Sequence, residues 1–232
     1  MKVIENMEQG TQEWHEARRM KITGTKLKSV MGTAQAQFDL IAELIAEEGT
    51  EQSKAFRATA EMERGSQEEI FAIKLFEKTT GKKVTQVGIC QSEEFDFVSL
   101  SPDGLIIDAD GKYSEAVEIK APNSATLIKY KMANLIDEKE TKLTPAKKPF
   151  LGIPADYKWQ VVHNFIVNKD LRKLYFVAYD ERFIDKGQKL YIVETDWKNE
   201  VLQEAVFDAE KALKEFREKW LRWRDIILPS NF

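Results

Sequence analysis

Two short stretches constrain this chain more than anything else in it. They are Ser101-Pro102-Asp103-Gly104 and, fourteen residues after Gly104, Glu118-Ile119-Lys120. Residues two apart on a strand share a face, so Glu118 and Lys120 point together while Ile119 points the other way into a core. A turn at Asp108-Ala109-Asp110-Gly111 makes the intervening chain a hairpin that carries Asp103 toward Glu118. Two carboxylates and an ammonium gathered in this way suit a hard divalent cation. Mg²⁺ takes oxygen ligands from one or two carboxylates, completed by water and substrate phosphate. Each half also has a plain structural role: Pro-Asp-Gly is a common turn, and Glu-x-Lys is common on a solvated strand face.

The bulk properties narrow the setting. At 232 residues and 43% hydrophobic content, the chain suits a single domain with its own core over 1–232. The motifs fall within about 9–196, and a terminal helix is expected over about 198–225. No apolar run reaches the length of a membrane span, and Met1-Lys2-Val3-Ile4-Glu5-Asn6 lacks the apolar stretch of a signal peptide. The lone Cys90 excludes an internal disulfide and a cysteine-rich metal site. A reducing, cytoplasmic setting is therefore expected. A net charge of −4 argues against a non-specific DNA coat. It leaves local contact with nucleic acid open, because bound cations reverse the sign of a carboxylate cluster.

Along the chain, Thr11 suits a helix N-cap ahead of a short helix from Gln12 to Arg19. Thr23 or Thr25 can cap a second helix through Val30. Phe38 to Glu47 is amphipathic, and a long helix runs from about Ala60 to Thr79, stopping at Gly81. Strands are expected over Lys83–Gln91, Phe95–Ser101, Leu105–Ile107 and Ala116–Lys120. A helix is expected over 124–136 and a proline-punctuated loop over 137–156. A helix from Tyr157 to Val167 follows, then strands Leu174–Tyr179 and Leu190–Glu194. The order predicts an α/β (α+β) domain with a central mixed β-sheet flanked by helices.

Five stretches in this order resemble the YqaJ-like viral recombinases, the family of phage lambda exonuclease within the PD-(D/E)xK nucleases. They are Gln9-Gly10-Thr11-x-x-Trp14-x-x-x-Arg18 with Ile22-Thr23-Gly24-Thr25, then Arg64-Gly65-x-x-x-Glu69. Ser101-Pro102-Asp103-Gly104, Glu118-Ile119-Lys120 and Tyr157-x-x-Gln160 complete the set. Two departures stand out. The segment 132–156 is longer than in lambda exonuclease, and the helix lacks a second glutamine two places after Gln160.

The resemblance implies a restriction-endonuclease-like core and a Mg²⁺-dependent (Mn²⁺ substituting) 5′→3′ exonuclease on ends of double-stranded DNA. It implies Asp103, Glu118, the Ile119 carbonyl and Glu69 as metal ligands, with Glu68 an alternative to Glu69. Lys120 would orient the attacking water and stabilise developing negative charge, and Gln160 would bind water or phosphate. Arg18 and Thr25 would grip a 5′-terminal phosphate, with a pure N-cap the other role for Thr25. Met62 falls where the family carries a strand-separating wedge, with a core position as its alternative. His163 shares the Gln160 helix face, whose other reading is a solvated surface. A homotrimeric ring, a single-strand annealing partner and a phage or prophage origin in a bacterial cytoplasm are further implications. An endonuclease of the same fold and a catalytically inactive DNA-end-binding protein are the rival readings.

Overall fold

The computed structural model describes residues 1–4, 7–50, 60–135 and 149–229; of residues 60–63 and 66 it describes the helical backbone alone. The elements run β1 (Lys2–Ile4), α1 (Gln12–Arg18), α2 (Gly24–Val30), α3 (Ala34–Glu48), α4 (Ala60–Thr80), β2 (Ile89–Gln91) and β3 (Ser99–Leu100). They continue with β4 (Gly104–Ile107), β5 (Tyr113–Lys120), α5 (Ser124–Leu135), α6 (Lys158–Val167), β6 (Lys173–Tyr179), β7 (Leu190–Asp196) and α7 (Glu200–Ile227). The expected α/β (α+β) class holds. A mixed four-stranded sheet, β4-β5-β6-β7, is parallel at β5–β6 and antiparallel elsewhere. A smaller antiparallel sheet, β1-β2-β3, lies beside it.

The sheet separates two cores, as side-chain alternation requires. Val117 and Ile119 of β5 join Tyr175 and Val177 of β6 against Ala72 and Phe76 of α4. Ala116, Leu174, Phe176 and Ala178 face the other way, into the larger core with α2, α3, α6 and α7. Glu118 and Lys120 share the parity of Ala116, so they emerge on the α6 side of the sheet.

Local signals explain most element ends. The Thr11 hydroxyl accepts from Trp14 N, and Gly81 ends α4 at φ +72°. α3 begins at Ala34, four residues before its apolar stripe, because Thr33 caps it by accepting from Ala36 N. Thr23 occupies the N-cap position of α2 but makes no capping bond; its hydroxyl lies 3.3 Å from that of Thr25.

Two expected strands are much shorter than their patterns. Over Lys83–Gln91 only Ile89–Gln91 pairs as a strand, with one bridge from Thr85 to Leu105. The Val84 N–H goes to Glu77 Oε1 instead of a ladder. Over Phe95–Ser101 only Ser99–Leu100 is a strand, and Val98 N–H turns back to the Phe95 carbonyl. The loop expected over 137–156 lies outside the described residues up to 148. After it, Phe150 and Ile153 form a tight bridge. Among the described residues no helix is long and apolar enough to cross a membrane.

Candidate active site

The register of the β4–β5 hairpin makes the site. Gly104 pairs with Val117, so Asp103, one step outside the ladder, stands opposite Glu118. The Ile119 N–H donates to Asp103 Oδ2 at 2.6 Å. Lys120 Nζ lies 2.6 Å from Glu118 Oε1 and 3.8 Å from Asp103 Oδ2. Gly104 is not needed for a left-handed turn here. A Cβ on it would fall 2.3 Å from Val84 Cγ1, so the glycine lets the strand pass Val84 and keeps Asp103 in register.

The charges are crowded. Burial pushes the Asp103 carboxyl up to about 8, with repulsion from Glu118 and Glu69 adding to it; attraction to Lys120 and the Ile119 N–H oppose the rise. Burial pulls Lys120 down, yet Glu118 and Asp103 outweigh it and hold the ammonium above its usual range. The same Lys120 Nζ sits 5.5 Å from the centre of the Tyr157 ring. An excess of carboxylate over cation in a partly buried pocket, all of it oxygen donors, fits a hard divalent ion. Among the described residues no three acidic, histidine or cysteine side chains form a ready-made cage. The donors at hand are therefore two adjacent carboxylates, the Ile119 carbonyl and a more distant Glu69.

Of the two α4 glutamates, Glu69 is the one whose charge acts on Asp103. Burial raises the Glu69 carboxyl, and the charges of Lys120 and Glu118 both act on it. Gln86 Nε2 donates to Glu69 at 3.4 Å. Glu68 is paired through one oxygen: Arg64 Nη1 binds its Oε1 at 2.7 Å while Arg64 Nη2 reaches the Ala121 carbonyl at 2.7 Å, and the buried Oε2 has no hydrogen-bond partner among the described residues. Of Met62 the side chain lies outside the described residues.

α6 enters from the other side. Gln160 is partly exposed and makes no side-chain hydrogen bond among the described residues. The polar face shared by Gln160, His163 and Asn164 is no solvated surface beyond Gln160, because residues Val161 to Val167 are all buried. His163 Nε2 meets the Ser99 carbonyl at 2.8 Å. Asn164 Nδ2 lies 3.4 Å from Glu118 Oε2 and 3.0 Å from the Gln160 carbonyl. A Cβ on Gly24 would stand 3.6 Å from Gln160 Cα, so the start of α2, carrying Thr25, packs directly on α6.

The N-terminal motif closes onto the Asp103 loop. Arg18 Nη1 donates to Ser101 Oγ at 2.8 Å, two residues from Asp103, and the guanidinium lies 4.0 Å over the Trp14 ring. Trp14 Nε1 donates to the same hydroxyl and to the Gly88 carbonyl. Gln9 Nε2 donates to the Pro102 carbonyl. Arg18 forms no ion pair among the described residues, and burial lowers it to about 10. Sequence reasoning missed Asn164, Gln86 and Trp14 as neighbours of the site. Trp14 stood inside a quoted motif and Asn164 on the polar helix face of Gln160, whereas Gln86 carried no signal of its own.

A family model of the YqaJ-like viral recombinase domain matches residues 13–169. The chain belongs to that family. Three solved structures share the fold of this YqaJ-like protein. The alkaline exonuclease LHK-Exo from Laribacter hongkongensis is 23% identical, with a TM-score of 0.73 over 94% of this chain and 96% of that one. The same enzyme in complex with dAMP gives 24%, 0.68, 94% and 98%. A phage-related exonuclease from Haemophilus somnus 129PT gives 16%, 0.56, 87% and 95%. No curated protein sequence matches significantly. Family and fold together support a nuclease.

Proposed function

We propose that this YqaJ-like protein is a divalent-metal-dependent exonuclease. It degrades linear double-stranded DNA from 5′-phosphorylated ends and leaves 3′ single strands for annealing-type recombination. The observation that carries the reading is the contact between Arg18 and Ser101. It puts an arginine without a carboxylate partner among the described residues beside a carboxylate–lysine cluster, so one terminal nucleotide can meet both. A guanidinium suits phosphate because its planar fork matches two oxygens at once. The fold likeness to exonucleases, one of them holding dAMP, agrees with release of single nucleotides.

Asp103, Glu118, the Ile119 carbonyl and Glu69 are the residues that would hold Mg²⁺, with Mn²⁺ expected to substitute. When bound, such an ion activates water and stabilises charge on phosphate oxygens. The chain's own groups do the rest. Glu118 and Asp103 hold the Lys120 ammonium charged and fixed, so it is preorganised to face negative charge that develops on the phosphate. The Gln160 amide is uncommitted and is assigned to orient the attacking water or a phosphate oxygen. Arg18, held by Ser101 and stacked on Trp14, and Thr25 at the start of α2 fix the terminal phosphate. Met62 is open between a strand-separating wedge and a core position.

The test compares linear duplexes bearing 5′-phosphate or 5′-hydroxyl ends with closed circles, in Mg²⁺ and in EDTA. Degradation of the phosphorylated linear duplex alone, only with metal, is expected. Asp103→Ala abolishes hydrolysis. Arg18→Ala erases the phosphate preference while sparing some cleavage. Cutting of closed circles shows an endonuclease instead, and binding of ends without hydrolysis shows an inactive end-binding protein.

A further inference from the structure

Each carboxylate assigned to the metal carries one neutral amide N–H. Asp103 Oδ2 accepts from the Ile119 N–H at 2.6 Å, and Glu118 Oε2 from Asn164 Nδ2 at 3.4 Å. Glu69 Oε1 accepts from Gln86 Nε2 at 3.4 Å. Asp103 and Glu118 also share Lys120 within 4 Å. Glu69 has no salt-bridge partner among the described residues, and Gln86 supplies its side-chain hydrogen bond. A neutral amide orients a carboxylate and leaves its charge for a cation, whereas an ammonium in the same place competes for that charge.

Folding stability does not account for the Gln86 contact. Gln86 is exposed, and a hydrogen bond that water can replace adds little to the fold. Holding a glutamine in one rotamer costs entropy besides. The backbone around Gln86 is nevertheless pinned on both sides. Thr85 exchanges two hydrogen bonds with Leu105, at 2.7 and 2.9 Å, one residue past the Gly104 that keeps Asp103 in register. On the other side the Val87 carbonyl accepts from Gln9 Nε2 and the Gly88 carbonyl from Trp14 Nε1. Gly88 lies so close to Met7 that a Cβ on it would fall 1.9 Å from the Met7 carbonyl oxygen. An exposed side chain thus leaves a fixed backbone and reaches across to α4, to the one donor carboxylate that Lys120 does not bind directly.

We infer that Gln86 is a positioning residue for the metal site: its amide holds Glu69 Oε1, orients that carboxylate and leaves Oε2 for the divalent ion. The inference rests on the reading of Glu69 as a metal ligand. Gln86 itself binds neither the ion nor the DNA. Hydrogen-bond partners of this kind, standing behind a ligand, change metal affinity by roughly 10–100-fold.

The test uses the full chain without DNA and Mn²⁺ as the probe, with bound ion measured by electron paramagnetic resonance. Gln86→Ala weakens Mn²⁺ binding about tenfold. Gln86→Lys weakens it further, because an ammonium on Glu69 must be displaced first. The thermal midpoint of metal-free Gln86→Ala stays within about 2 °C of the unaltered chain, as for an exposed side chain. In a Glu69→Ala background, Gln86→Ala weakens Mn²⁺ binding no further, since the residue acts through Glu69. On linear duplex, the Mg²⁺ concentration for half-maximal cleavage rises about tenfold and the rate at saturation changes less. Unchanged Mn²⁺ affinity in Gln86→Ala overturns the inference. So does an equal loss in the Glu69→Ala background, which moves Gln86 to another group, and so does a midpoint that falls together with the affinity, which makes the contact part of the fold. In each of these cases an unaltered chain that binds Mn²⁺ and cleaves duplex leaves the nuclease reading standing. An unaltered chain that does neither defeats that reading, and this inference with it.

Discussion

His163 lies wholly inside the protein, and its Nε2 meets the Ser99 carbonyl just before the Asp103 loop. Burial holds its pKa down to about 4; the bond to Ser99 resists this and the charge of Arg18 reinforces it. The imidazole is therefore neutral, with Nε2 carrying the proton it gives to Ser99. Its contribution to stability runs in one direction with pH. Near 6.5 the unfolded chain begins to take up a proton that the folded chain refuses until about 4. Stability from this residue is complete above that window and lost as acid takes the pH down through it. His163→Gln keeps an amide donor for Ser99 and removes the titration. Denaturant unfolding of the two proteins between pH 7 and 4 is expected to show the gap between them shrink or invert by up to about 3 kcal/mol. A gap that stays constant with pH would mean that His163 protonates freely in the folded state. The neighbouring Asn164 is expected to act through Glu118. Asn164→Ala frees one carboxylate oxygen, and the Mg²⁺ concentration for half-maximal cleavage rises several-fold with less effect on the rate at saturation. An equal fall at every Mg²⁺ concentration points to a role away from Glu118.

Among the elements, the β4–β5 hairpin and the span of α6 were legible in sequence, whereas β1, the short extent of β2 and β3 and the burial of the polar face of α6 were not. Pro-Asp-Gly, the Asp108–Gly111 turn and Glu118-Ile119-Lys120 announce a hairpin because turn chemistry and alternation are local. What they do not announce is register, which a far-off side chain sets: Val84 occupies the space a Cβ at residue 104 would need. Gly104→Ala is expected to lower stability by about 1–3 kcal/mol through overpacking, and to cost cleavage by displacing Asp103 from Glu118. Adding Val84→Ala makes room and restores part of both, measured by denaturant unfolding and duplex degradation. No rescue in the double variant means that the glycine answers to backbone conformation instead. In α6, polar residues at helical spacing read equally well as a solvated stripe or as a buried one. His163 and Asn164 are buried because β3 and β5 supply partners for them from remote positions, the Ser99 carbonyl and Glu118. β1 is a strand for the same non-local reason, since its residues pair with Ile89 to Gln91. Spacing left Glu68 and Glu69 as alternatives; the fold pairs one oxygen of Glu68 with Arg64 and leaves its other, buried oxygen without a partner among the described residues.

At the scale of the whole molecule, the family resemblance implies a ring of three chains, and one surface suits such a contact. At the far end of α7, Trp223, Ile227 and Leu228 lie against Phe38, Ile41 and Ile45 of α3 and line a groove of about 470 Å³. Phe38, Trp223, Ile226 and Ile227 remain exposed there. A contiguous apolar patch on an otherwise charged surface marks an interaction site more often than scattered exposed side chains do. A closed ring requires a heterologous contact, in which this patch meets a different surface of the next copy. Light scattering is expected to give three times the chain mass of 26.8 kDa. Ile227→Asp places a charge in the patch and is expected to return a single-chain mass. The Asp103–Glu118–Lys120 cluster lies on other elements, so short duplexes should still be cleaved, whereas long duplexes should be released part-way. A three-chain mass that survives Ile227→Asp moves the contact to another face, and a single-chain mass for the unaltered protein removes the ring. The two outcomes separate the assembly from the chemistry, because Asp103, Glu118 and Lys120 come from one chain and need no second copy to meet.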